Sequence, residues 1–258
     1  MKIIVGILIP FLCTTLGSAF VFLVKEKVND KMIRIFLAFA AGIMVAASIF
    51  SLILPALENA EELGMVPWFV VCISFILGGV FLLLIDKIVP HFHPQQNVQE
   101  GLPMHLKKTT MMVLAVTLHN IPEGMAVGLM FGMALESGNM ALLSSAFALS
   151  IGIGIQNIPE GAAVSLPMKK EGISNVKAFS YGMFSGLVEP ISAVIAMYFA
   201  SVVDGLMPWL LAFAAGSMMY VVVEELIPES HVNEHSNLES MIFMIGFTLM
   251  MLLDITLG

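Results

Sequence analysis

Charge is scarce in this chain. Only 12% of its 258 residues are Asp, Glu, Lys or Arg, where a soluble domain carries roughly 25%. Too few polar residues are present to cover a water-facing surface of this size, which excludes a soluble enzyme. Cysteine is scarcer still. Cys13 and Cys72 both lie in apolar runs and form no CxxC pattern, so a disulfide framework is excluded and both read as small buried hydrophobes. No basic stripe is present, and nucleic acid is not an expected partner. No GxxxxGK[ST] occurs, so this chain is not expected to hydrolyse nucleotides. No HExxH occurs either, which removes the usual zinc-protease pattern. No organic cofactor is expected. The net charge of -8 sits in loops and at a few positions within apolar runs, so it carries no message about solubility.

Long apolar runs fill the sequence. It is 59% hydrophobic with a mean hydropathy of +0.96. Runs of spanning length cover residues 3–24, 33–57, 67–89, 109–133, 140–167, 176–203, 207–228 and 239–257. About 20 residues cross a bilayer as a helix, and a helix satisfies its own backbone in lipid. The fold class is therefore all-α and integral to a membrane, with eight transmembrane helices in a single domain, 1–258. The first run resembles a signal peptide at its start, but it is longer than the usual ~7–15-residue apolar core and reads as a retained helix.

Lysine and arginine orient the helices. Lys25, Lys27, Lys31 and Arg34 flank the first connection; Lys87, Lys107 and Lys108 flank the third; Lys169, Lys170 and Lys177 flank the fifth. Only Lys2 lies on the other side. The positive-inside rule then puts odd-numbered connections in the cytoplasm and both termini outside the cell membrane. The outer connections carry Glu58, Glu61, Glu62, Glu136 and Asp204. These either raise the local cation concentration or are what remains on an outer face.

Two of the runs carry the same five residues at their centres. His119-Asn120-Ile121-Pro122-Glu123-Gly124 is followed by Gln156-Asn157-Ile158-Pro159-Glu160-Gly161. A carboxylate in lipid costs at least ~2.5 kcal/mol, which makes it a mark of an ion or substrate path. Proline in a helix interior costs ~3 kcal/mol. His119 and Glu123 are four residues apart and share a helical face, as do Gln156 and Glu160. A short connection makes the two helices antiparallel, so a two-fold axis in the membrane plane would bring the polar faces together. Pro122 and Pro159 each free a carbonyl, those of Leu118 and Ile155. Imidazole, carboxylates and amides together suit a first-row dication better than magnesium or calcium, and zinc accepts both His nitrogen and Glu oxygen.

Further polar residues lie at depth. Glu189 sits mid-helix in Ser-Gly-Leu-Val-Glu-Pro. Met44, Ser48 and Ser51 share one face of the second helix, with Glu58 further out. Glu224 and Glu225 near the cytoplasmic end of the seventh helix read as an exit relay or as a solvated helix end. Asp254 reads as interfacial. The third connection, 90–108, is a polar loop holding His91, His93 and His105.

These residues bear a resemblance. Leu118–Gly128, Ile151–Pro167, Ser185–Pro190, Ala40–Glu58 and Met218–Glu229 resemble the ZIP (Zrt/Irt-like) divalent metal transporters, in their GufA-like group. The resemblance implies a 3+2+3 inverted-repeat arrangement in which the fourth and fifth helices carry a binuclear site. It implies one metal held by Met44, His119, Glu123, Gln156 and Glu160. The second would be held by Asn120, Glu123, Gln156, Asn157, Glu160 and Glu189. Some members have Asp at the position of Asn157 and many have His at that of Gln156, so this site has less charge and less imidazole. Ser51 and Glu58 match pathway positions, and the histidine loop resembles the family's cytoplasmic metal-sensing loop. A homodimer is implied as well.

The expected function is transport of Zn2+ into the cytoplasm by alternating access, with Cd2+, Fe2+, Mn2+ and Cu2+ as alternative cargoes. A metal-gated channel, an exporter and an intramembrane metalloenzyme are the competing readings.

Overall fold

The computed structural model describes residues 2–23, 30–89, 91–93, 98–100, 108–202, 205–231 and 237–257. His105, with Lys25, Lys27, Lys107 and Asp204, lies outside the described residues. The helices are α1 (Lys2–Leu23), α2 (Lys31–Glu62), α3 (Pro67–Ile88), α4 (Lys108–Ser137), α5 (Met140–Lys170), α6 (Asn175–Phe199), α7 (Met207–Ser230) and α8 (Asn237–Leu257). Among the described residues, seven stretches are long and apolar enough to cross a membrane.

Some boundaries differ from the sequence expectation. α2 runs on to Glu62, past the expected end at 57, because Ala-Leu-Glu-Asn-Ala-Glu-Glu is rich in good helix formers. Gly64, at φ +68°, then stops it, a left-handed position that costs glycine little. The third connection is not a plain loop. β1 (His91–His93) and β2 (Val98–Glu100) pair antiparallel, with His91 opposite Glu100. β1 packs against α4.

The helices pack as two groups. α1 lies along α5 and α4 along α6; α2 lies along α8 and α3 along α7. The groups meet where α5 contacts α2 and α4 contacts α7, and α4 also packs on α5.

The second group is built on a repeat that the sequence reading passed over. Leu37–Met44 reads LAFAAGIM and Leu211–Met218 reads LAFAAGSM. The structure uses both copies alike. Gly42 of α2 lies against the Phe243 carbonyl of α8, and Gly246 of α8 against that of Phe39. Gly78 of α3 lies against the Phe213 carbonyl of α7, and Gly216 of α7 against that of Phe75. Each crossing brings backbone to backbone, which only a residue without Cβ permits. Four residues after each methionine the helix widens to π geometry, at Ser48–Ile53 and Val222–Leu226. Leu54 N–H then donates to the Ile49 carbonyl and Ile227 N–H to that of Val222. A proline follows each time, Pro55 and Pro228, whose missing N–H makes the regular ladder unavailable. π-turns of this kind gather at functional sites.

By contrast, Pro122 and Pro159 sit inside unbroken helices. Adjacent Gly78 and Gly79 offer a test of the crossings. Only the former meets backbone; a Cβ on Gly79 would lie 3.9 Å from the Gly216 carbonyl. Gly78→Ala should destabilise the protein by about 1–3 kcal/mol, and Gly79→Ala should be close to neutral, as read by thermal unfolding in detergent.

Candidate metal centre

α4 and α5 supply the polar centre because each copy of the motif places its amide and carboxylate on the side facing the bundle. Asn120, Glu123, Gln156 and Asn157 are fully buried, and Glu189, His119 and Glu160 nearly so. Burial of this many polar groups is sustained only by partners, and the partners found are specific. Gln156 Nε2 donates to Glu123 Oε1 at 2.7 Å, joining α5 to α4. Thr14 Oγ1 of α1 donates to Glu189 Oε1 of α6 at 2.7 Å. Asn120 Nδ2 donates to the Ser185 carbonyl at 3.1 Å.

The remaining oxygens have no partner. Asn120 Oδ1, Glu123 Oε2, Gln156 Oε1, Asn157 Oδ1 and Glu189 Oε2 are buried without a hydrogen bond. Asn157 faces both Glu123 and Glu189 without reaching bonding geometry with either. Glu160 and Glu189 both act electrostatically on Glu123. An acceptor in a dry interior costs about 1–3 kcal/mol when it is left unmade. Five oxygens from three helices, three of them from amides, and no free donor but the Asn157 amide is a set suited to a cation.

The histidine is occupied differently. His119 Nε2 lies 2.5 Å from Glu225 Oε1. The pair links α4 to α7 by a short polar contact. Asp86 of α3 and Glu160 also act on His119, and Asp86 is itself buried. Of the two readings left open for the seventh helix, a solvated end does not fit Glu225, which is buried within the π-turn of Val222–Leu226, while its neighbour Glu224 is exposed. Asp254, half-buried near the end of α8, accepts from Ser51 Oγ at 2.7 Å.

Met44 is fully buried on α2 and Glu58 is exposed. His91 and His93 occupy β1. Among the described residues no group of three or more His, Cys, Asp or Glu side chains stands in metal-holding geometry. The reason is visible in the pairs. His119 is held by Glu225, one oxygen of Glu123 by Gln156 and one of Glu189 by Thr14.

Asp86 and Thr14 were not singled out from the sequence. Asp86 lies at the end of an apolar run beside Lys87, where an interfacial pair is the plainer reading. Thr14 is one hydroxyl among many.

The ZIP Zinc transporter family profile matches residues 1–110 and 96–254, which together cover nearly the whole chain. The chain belongs to the ZIP zinc transporter family. It is 32% identical to zinc transporter ZIP11 of Homo sapiens, over 95% of this chain and 94% of that protein. It is 36% identical to zinc transporter GufA of Myxococcus xanthus, over 81% of each. It is 35% identical to zinc transporter ZIPB of Bordetella bronchiseptica, over 96% of this chain and 79% of that protein. Within this ZIP protein the candidate centre lies on the two helices that carry the doubled motif.

Replacing one member of the His119–Glu225 pair strands the other in a buried site. Glu225→Ala should destabilise the metal-free protein by roughly 2–5 kcal/mol. His119→Ala on that background should add clearly less than it does alone. Chemical denaturation in micelles, run as a double-mutant cycle, reads the coupling.

Proposed function

We propose that this protein carries divalent transition-metal cations, zinc first among them, across the cell membrane into the cytoplasm by alternating access. The observation that carries the reading is the set of buried, unpaired oxygens on α4, α5 and α6, in a chain of the ZIP family. Glu123 and Glu160 would bridge two metal positions. Met44, His119 and Gln156 would complete one. Asn120, Gln156, Asn157 and Glu189 would complete the other. Asn157 contributes no charge, so this second position would be the weaker.

The internal pairs give the mechanism its first step. A dication entering the centre would compete with Glu225 for His119 and with Gln156 for Glu123. The centre is therefore closed on itself until cargo arrives. Ser51 with Asp254 lies toward the outer side and Glu225 with Asp86 toward the inner side, given termini outside. They would form the approach and the exit, with Glu58 at the outer mouth and Glu224 at the inner one. His91, His93 and His105 of the cytoplasmic connection would sense released metal.

The architecture proposed is eight transmembrane helices in a 3+2+3 inverted repeat. Its support is the doubled motif of α4 and α5, the LAFAAG repeat of α2 and α7, and the matching glycine crossings. Alternating access would move the α1, α4, α5, α6 group against the other. A homodimer with a lipid-covered exterior completes the reading.

Purified protein in liposomes should show saturable Zn2+ flux that Glu123→Ala and Glu160→Ala both abolish. Undiminished flux in both variants sinks the proposal, and flux linear in concentration points to a channel. In metal-binding titrations Asn157→Asp should strengthen the weaker of two sites; equal binding in both proteins refutes its assigned weakness.

A further inference from the structure

Each copy of the doubled motif ends in a glycine, and each glycine rests on a flanking helix. Gly124 lies against the backbone of α6 at Glu189, and Gly161 against the backbone of α1 at Thr14. Thr14 therefore holds, beside the second copy, the place that Glu189 holds beside the first. Both residues are buried, and α1 and α6 meet so that the two side chains bond to each other, Thr14 Oγ1 to Glu189 Oε1 at 2.7 Å. One copy is thus flanked by a carboxylate and the other by a hydroxyl, and the carboxylate engages the hydroxyl.

The hydroxyl is firmly placed. Gly161 against Thr14, and Gly17 of α1 against the Ile158 carbonyl, seat α1 on α5 backbone to backbone. Ser18 Oγ adds a link to the Gly161 carbonyl at 3.3 Å. The Thr14 side chain fills the notch that Gly186 leaves on α6, where a Cβ would lie 2.9 Å from Thr14 Cγ2 and 3.1 Å from Glu189 Oε1. Thr14 Oγ1 also lies 3.1 Å from the Pro10 carbonyl. A hydroxyl has one proton to donate, and an ionised carboxylate is the stronger of the two acceptors. Glu189 Oε2, by contrast, is buried with no partner. The same carboxylate acts on Glu123 and faces Asn157, so it stands at the polar centre. One of its oxygens is taken and the other is left.

We infer that Thr14 is a positioning residue for the transported cation: by holding Oε1 of Glu189 it leaves Oε2 as the oxygen presented to the second metal position. Thr14 itself does not touch the cation. Hydrogen-bond partners of a ligating carboxylate are worth roughly 10–100-fold in metal affinity, because they fix its orientation before the metal arrives. The inference rests on the reading in which Glu189 completes that position.

The test is calorimetric titration of Cd2+ into purified protein in micelles, for wild type, Thr14→Val, Thr14→Ser and Glu189→Ala. Valine keeps the branched shape that fills the Gly186 notch and drops the hydroxyl. Serine keeps the hydroxyl and drops the methyl. Glu189→Ala identifies the position that Glu189 completes, by abolishing it and sparing the other. Thr14→Val should weaken that same position about tenfold or more and leave the other unchanged. Thr14→Ser should bind as wild type does. Should Thr14→Val not fold, Thr14→Ala removes the same hydroxyl and is read in its place. Undiminished binding in Thr14→Val, loss of the position in Thr14→Ser, or equal weakening of both positions overturns the inference while the Glu189 assignment stands. Two intact positions in Glu189→Ala overturn that assignment, and the inference with it.

Discussion

Everything in this protein is arranged around the difficulty of keeping carboxylates away from water. Glu123, Glu160, Glu189 and Glu225 are buried in a bundle whose outer surface is apolar. Each has to be held by hydrogen bonds, a proton or a cation, since an isolated charge there would cost several kcal/mol. The chain meets this constraint with pairs that span helices: α4 to α5, α1 to α6, α4 to α7. These pairs satisfy one oxygen of each of Glu123 and Glu189 and leave the other bare. That half-satisfied state is what makes this cluster a candidate binding centre, since a structural polar network pairs every member.

Much of this was legible in the residues. Apolar run length placed the helices to within a few residues, because lipid thickness sets a length that sequence must match. The doubled Asn-Ile-Pro-Glu-Gly pointed to the candidate centre, because buried charge and mid-helix proline are both costly and repetition makes coincidence a poor account. Irregular backbone was less legible. The prolines at 122 and 159 suggested disruption, yet their helices continue, and the π-turns lie instead before Pro55 and Pro228. Glu225 is buried and Glu224 exposed, a distinction that adjacent identical residues cannot announce. Asp86 and Asp254 hid at helix ends, where depth depends on packing and not on spacing. The hairpin of His91–His93 and Val98–Glu100 was missed because three-residue strands carry too little alternation to register.

The two groups of helices differ in how they have kept their likeness. α4 and α5 differ at the position before the motif, imidazole in one and amide in the other. α2 and α7 keep the octapeptide that sets their crossings and differ beyond it, Ser51 standing where α7 has Glu225. Backbone contacts tolerate no side chain, so the crossing segments are held to small residues. Positions away from the crossings face no such steric limit and are free to diverge in charge.

The glycine crossings carry a mechanical consequence. Where backbone rests on backbone there are no side chains to change rotamer, so α2 with α8, and α3 with α7, form stiff struts. Compliance is left to the seam where α4 meets α7 and α5 meets α2. Across that seam runs the short contact between His119 and Glu225. On the proposed reading it is a latch, which a cation claiming the imidazole would unfasten in the act of binding.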